Sequence, residues 1–173
     1  MNKDYKEIIK QSQTGNNRKV SEIWDQTLNI EERTKQIFNT IMRKRITGLI
    51  RYSDGYFPDW DAKAFCNIDL AENTYELKGE FRALDFGSCF VEYKEGENLS
   101  GLSLTKSDYY FFLVGHEEMP KEAYLVPTSK LKQIGKEPST IHTNGGINGS
   151  AKGFLLNIDK IAKYKIWPQN SPK

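Results

Sequence analysis

The sequence predicts an α/β (α+β) protein built on a central mixed β-sheet flanked by helices. Three observations predict it. Residues 20–45 carry apolar side chains at helical spacing, and residues 46–81 change to strand-like runs divided by turn residues. The third is the unbroken apolar run Tyr-Tyr-Phe-Phe-Leu-Val at 109–114, which leaves no polar face for solvent and reads as a central strand covered on both sides. Helix, three strands, a fourth strand, a crossover and a buried strand make layers around one sheet.

Each element follows from its own residues. Residues 1–19 are polar and end in Gln-Thr-Gly-Asn-Asn-Arg-Lys, a short helix or frayed arm followed by a loop. Over 20–45, Ile23, Trp24, Leu28, Ile37, Ile41 and Met42 recur at near-helical intervals, with a break expected near Asn29-Ile30. Asn29 before Glu31-Glu32 suits a helix start, and Arg43-Lys44-Arg45 suits a helix end beside the negative pole of the macrodipole. Residues 46–52 read as a strand, Asp54-Gly55 and Pro58-Asp59 as turns, 60–68 as a second strand, 71–73 as a tight connection and 74–81 as a third. These three form an antiparallel meander. Residues 88–93 are a fourth strand, 94–100 a polar loop and 101–106 a short helix. After the buried strand come a strand at 123–126 and a helix to 134 capped by Thr128 or Ser129. A glycine-rich flexible stretch at 144–150, a strand at 154–158, and a turn or helix at 159–164 complete the order. Residues 20–167 read as one domain, with a frayed tail at 168–173.

Composition narrows the function classes. A chain of 173 residues, 38% hydrophobic and 28% charged, can bury a core without staples. No apolar run approaches the roughly 18 residues of a membrane span, and the charged start MNKDYKEIIKQ is no signal peptide. The expectation is a cytoplasmic protein with no membrane partner. Cys66 and Cys89 form no CxxC or Cys/His cluster and read as small buried residues; His116 and His142 are too few for chemistry that needs paired imidazoles. Net charge is +2, so any polyanion must be met by local clusters. The candidates are Arg43-Lys44-Arg45 with Arg51, Lys130 with Lys132 and Lys136, and Lys160, Lys163 and Lys165, which suit phosphate contacts or a solvated face.

The chemistry-bearing segments are Phe57-Pro58-Asp59-Trp60-Asp61 and Tyr75-Glu76-Leu77-Lys78. Alternation along a strand puts Glu76 and Lys78 on one face and Leu77 on the other. Asp61 starts the neighbouring strand, so antiparallel pairing brings its carboxylate beside Glu76. Two carboxylates and the Leu77 carbonyl make an oxygen-rich site for Mg²⁺ or Mn²⁺. A nearby ammonium, with its pKa lowered by desolvation and metal, would orient an attacking water. The pattern acid-x-Lys alone is weak, since it occurs four times, at Asp4, Asp61, Glu76 and Glu92. The other occurrences read as surface ion pairs.

The run FPDWDAKAF…TYELKGE resembles the PD-(D/E)xK nuclease superfamily, with its restriction-endonuclease-like fold. CFVEYKEGENLSGLSLTKSDYYFFLV, YLVPTSKLK and NGGINGSAKGFLL are similar to a set of phage and bacterial proteins of that superfamily, so the likeness covers about residues 31–160. It implies a Mg²⁺- or Mn²⁺-dependent hydrolase of DNA phosphodiester bonds, an endonuclease that could act as a homodimer. Asp61 and Glu76 match the metal-binding acids and Lys78 the catalytic lysine, with Leu77 lending its carbonyl. Asp59, in the literal Pro-Asp, and the more distant Asp54 are rivals for the first acid. Glu92 would join the metal shell, orient Lys78 or pair with a lysine, and Glu31 or Glu32 of the first helix would assist. That set carries Thr-Gly-Asn where this chain has Asp85-Phe86-Gly87-Ser88-Cys89. The alternatives are an inactive module of the same fold that binds nucleic acid or protein, and a structural β-rich protein whose acids and lysines are ion pairs.

Overall fold

The computed structural model describes residues 20–53, 59–67, 69–116, 119–145 and 149–168, with the side chains of the first helix from Ile30 onward. The expected arm at 1–19, the turn residues 54–58, the centre of the glycine-rich stretch and the end of the tail lie outside the described residues. In chain order the elements are helix α1 (Val20–Met42), strands β1 (Ile46–Tyr52), β2 (Ala62–Cys66) and β3 (Ala71–Glu80), and helix α2 (Ala83–Phe86). Then come β4 (Ser88–Glu95), β5 (Asn98–Leu99), a 3-10 turn (Gly101–Ser103), β6 (Tyr109–His116), β7 (Met119–Pro127) and helix α3 (Thr128–Ile134). β8 (Ile141–Gly145), β9 (Ala151–Asn157), a 3-10 segment (Ile158–Tyr164) and β10 (Lys165–Trp167) close the chain.

The fold is mixed α/β, as expected. Six strands form one sheet in the order β1-β2-β3-β6-β7-β10, and β5-β4-β9-β8 form a second. The meander β1-β2-β3 is antiparallel, and β6 runs parallel to β3 with Leu77 beside Phe111 and Lys78 beside Phe112. The expected central strand is central. One face of β6, through Phe111 and Leu113, packs with Phe38 and Met42 of α1 and with Tyr75 and Leu77. The other face, through Tyr110, Phe112 and Val114, packs with Val91, Phe154 and Leu156 of the second sheet and Leu131 of α3.

Several boundaries differ from expectation, each for a physical reason. α1 runs unbroken through Asn29-Ile30. An interior Asn costs only about 0.7 kcal/mol, while bonds four residues apart tie the chain together: Thr34 Oγ1 donates to the Ile30 carbonyl at 2.7 Å and Lys35 pairs with Glu31 at 2.6 Å. Residues 71–73 belong to β3 rather than to a connection. Asp69 makes the turn instead, accepting from Ala71 N and Asn73 Nδ2, with Leu70 at φ 55°. The expected loop 94–100 is a hairpin whose β5 pairs with β4, and the expected helix at 101–106 is a single 3-10 turn. Thr128 does not cap α3; the cap position is Pro127, and Thr128 Oγ1 is buried without a partner among the described residues. β8 and β10 were not expected, since one is exposed without apolar alternation and the other is three residues long. Among the described residues no helix is long and apolar enough to cross a membrane.

Candidate active site

Asp61, Glu76 and Lys78 come together where β2 begins. Ala62 is paired with Tyr75, so Asp61 stands across from Glu76 on the face turned away from α1. Beyond Tyr75 the β3 backbone has lost its β2 partner, and Asp61 Oδ2 accepts the Leu77 N–H at 2.7 Å. A strand residue aims its N–H and C=O at the same neighbour, so the Leu77 carbonyl is directed to the Asp61 side as well. Lys78 Nζ lies 3.5 Å from Glu76 Oε1, with the Glu76 side chain 12% exposed and that of Lys78 40%. Asp59 turns elsewhere, to a 2.9 Å ion pair with Lys106. Geometry thus separates the two rivals for the first acid, while Asp54 lies outside the described residues.

Charge in this corner is unbalanced. Burial raises the pKa of Asp61, against the opposing pull of the Leu77 N–H and Lys78. Burial also raises Glu76, with Lys78 lowering it and Asp61 raising it again. Glu80, next along the same face, is pushed by burial up to about 7. For Lys78, burial works to lower the pKa, as expected of desolvation, while Glu76, Asp61 and Glu80 together outweigh it and hold the ammonium above its usual value. The carboxyl groups of Asp61, Glu76 and Glu80 face Lys78, with Glu31 and Lys35 of the helix acting on Asp61 in opposite senses, so the corner fits an added positive charge. Among the described residues no three His, Cys, Asp or Glu side chains converge as ligands. The candidate donors are two carboxylates and a carbonyl, a set Mg²⁺ accepts when waters and a phosphate complete its octahedron.

The Tyr110 hydroxyl strengthens that fit. Among the described residues it is buried without a hydrogen-bond partner, on the residue paired with Glu76. Burial raises its pKa, as do Glu76, Asp61 and Glu92. A buried hydroxyl near acids and without a protein acceptor is placed to bond a water or ligand atom in the site.

The segment Ser100–Asp108 holds Glu76 and the strands around it in place, a role its residues alone do not reveal. Thr105, buried, donates to Glu76 Oε2 at 3.2 Å and accepts from the Ser107 N–H. Ser107 Oγ donates to the Asp59 carbonyl at 3.2 Å. Asp108 Oδ2 accepts from Thr74 N and Thr74 Oγ1, both at 2.8 Å, fixing the approach of β3. Ser100 Oγ donates to Glu92 Oε1 at 2.5 Å. The signal available in sequence was the density of small hydroxyl residues before a buried strand, which reads as a turn unless the fold is known.

The other candidates separate. Glu92 lies in the second sheet, bonded to Ser100, and acts on Tyr110 of the site's edge. Glu31 acts on Asp61 and Glu32 on Tyr52, so the helix supplies Glu31 as the nearer acid. Arg43-Lys44-Arg45 precede the start of β1, whereas Asp61 adjoins its end, about 20 Å away at 3.3 Å per residue. Arg51 pairs with Glu72, Lys160 with Glu137 and Lys165 with Glu122. Cys66 and Cys89 are free and buried. No family model matches the chain, and no curated protein or solved structure matches it either.

Proposed function

We propose that the chain is a Mg²⁺- or Mn²⁺-dependent nuclease hydrolysing DNA phosphodiester bonds, a PD-(D/E)xK-type endonuclease. The observation that carries it is the pairing of Asp61 with Glu76 across the mouth of β2 and β3, with Lys78 at 3.5 Å from Glu76. Both carboxylates are raised by burial, which a divalent cation would relieve. The helix, the antiparallel meander and the parallel β6 beside the lysine strand agree with this reading.

Asp61, Glu76 and the Leu77 carbonyl would hold the ion. When bound, it would polarise the scissile phosphate and lower the pKa of an attacking water. Thr105 keeps Glu76 turned into the site. Lys78, which its acidic neighbours favour in the protonated form, would serve as a positive charge and donor to the phosphate or water. Such preorganised stabilisation is worth about 3–4 kcal/mol.

Plasmid nicking with Mg²⁺ or Mn²⁺ tests the proposal. Glu76→Ala and Lys78→Ala are expected to lose at least about 100-fold in rate while keeping their circular dichroism. Lys78→Ala is expected to keep most of its DNA affinity. An inactive binding module predicts no cleavage by the unaltered protein of duplex, branched or single-stranded DNA with either metal, and that result would overturn the proposal.

A further inference from the structure

A concave site apart from the acids is lined on one side by Leu102 and Ser103 of the 3-10 turn. It is a cavity of about 330 Å³, at the small end of ligand pockets. Its floor is Leu102 and Phe154, both buried, and its walls are Tyr93 and His142. The His142 ring stands edge-on to Tyr93 at 5.7 Å and to Phe154 at 6.1 Å, with Nδ1 3.3 Å from the Tyr93 hydroxyl. Gly135 lets the end of α3 close on this floor, since a Cβ there would come within 2.9 Å of the Phe154 ring.

Lys132 and Lys136 line the same cavity, four residues apart at the end of α3. Both are exposed. Neither ammonium has an anionic partner among the described residues, whereas Lys130 bonds Gln133 and Lys160 pairs with Glu137. The cavity therefore offers aromatic and apolar surface, two polar ring tips, and two unneutralised cations. An aliphatic ligand would leave the cations unused, and a bare phosphate would leave the aromatic floor unused. A planar heteroaromatic ring carrying a phosphate uses all of them, the ring against the aromatic side chains and the phosphate between the lysines.

We propose that this pocket binds one nucleotide, base inward and phosphate on Lys132 and Lys136. The proposal rests on the nuclease reading for the role of that nucleotide, as a unit of the strand being cut or as a released product. The connection is direct in the chain: Leu102 lies in the 3-10 turn whose flanks, Ser100 and Thr105, bond Glu92 and Glu76.

The test is binding to the full chain in EDTA, where no cleavage occurs. The probes are thymidine monophosphate, thymidine, inorganic phosphate and a short oligothymidylate, and the readouts are affinity and the His142 ring resonances in NMR spectra. Saturable binding of the monophosphate that shifts His142 is expected. Lys132→Ala with Lys136→Ala should weaken it at least about tenfold, from two lost charge-assisted contacts. Ser103→Tyr, an exposed lining position, should block it. Tighter binding of the oligonucleotide than of the monophosphate marks a strand unit; the reverse marks a released product. The proposal is overturned if His142 does not move with any nucleotide probe. It is equally overturned if phosphate alone competes as well as the monophosphate, or if Ser103→Tyr changes nothing while the lysine variants do. Plasmid nicking without nucleotide binding would sink the pocket and leave the nuclease standing. Nucleotide binding without cleavage of any substrate would do the reverse.

Discussion

Thr105 shows how a small buried side chain governs a charged one. Its hydroxyl stands 3.2 Å from Glu76 Oε2 and 3.1 Å from the Asp59 carbonyl, so one small group ties the acid to the Asp59 turn. Thr105→Val keeps the shape and removes the bond, so Glu76 should swing and the cation should sit less well. A loss of about 10–100-fold in nicking rate is expected, with the melting temperature changed far less than the rate. Glu80 offers a test through pH. Its folded carboxyl titrates near 7 instead of 4.5. Between those values the folded protein keeps a proton that the unfolded chain has released, so this group makes stability fall as pH rises through the window. Glu80→Gln has no charge to lose. In EDTA it is expected to gain about 3 kcal/mol at pH 8 and almost nothing at pH 4, read by urea denaturation.

At the scale of elements, the site depends on how closely α1 lies on β3. Gly79 sits between the acids of β3 and faces the helix, where a Cβ would come within 2.5 Å of Thr34 Oγ1 and 2.6 Å of Ile30 Cγ2. Gly79→Ala should push the helix off the strand, at a cost of about 1–3 kcal/mol, visible as a lower urea midpoint with unchanged slope. Part of this arrangement is legible in the sequence. Strand alternation alone puts Glu76 and Lys78 on one face and Leu77 on the other, and the short turn brings Asp61 opposite. The contact of Gly79 with Ile30 and Thr34 is not legible, because it joins residues about 45 positions apart.

For the whole molecule the decisive quantity is charge. The corner around Asp61, Glu76 and Glu80 lacks positive charge, so a bound divalent cation should stabilise the fold. At a hundred times its dissociation constant a ligand contributes about 2.7 kcal/mol, or roughly 5–10 °C in a chain of this size. The carboxylates must shed protons to bind, and burial has raised both pKa values. The shift with Mn²⁺ should therefore be largest near pH 8, shrink as pH falls, and vanish in Asp61→Asn. A melting temperature indifferent to millimolar Mn²⁺ would count against the metal site.

Asp61, Glu76 and Lys78 were visible in sequence because strand geometry is local: a period of two and a short turn are enough to set three side chains on one face. The buried strand at 109–114 was visible because a run apolar on every residue can only be covered on both sides. That Asp59 turns away to Lys106, which lies 47 residues from the carboxylate it pairs with, needed the tertiary structure. Glu92 moved into a second sheet for the same reason: β4 pairs with β9, some 60 residues later, and sequence alternation says nothing about which distant strand is the partner. What the chain shows by itself is which side chains share a face; which distant elements hold them there is decided only when the sheets close.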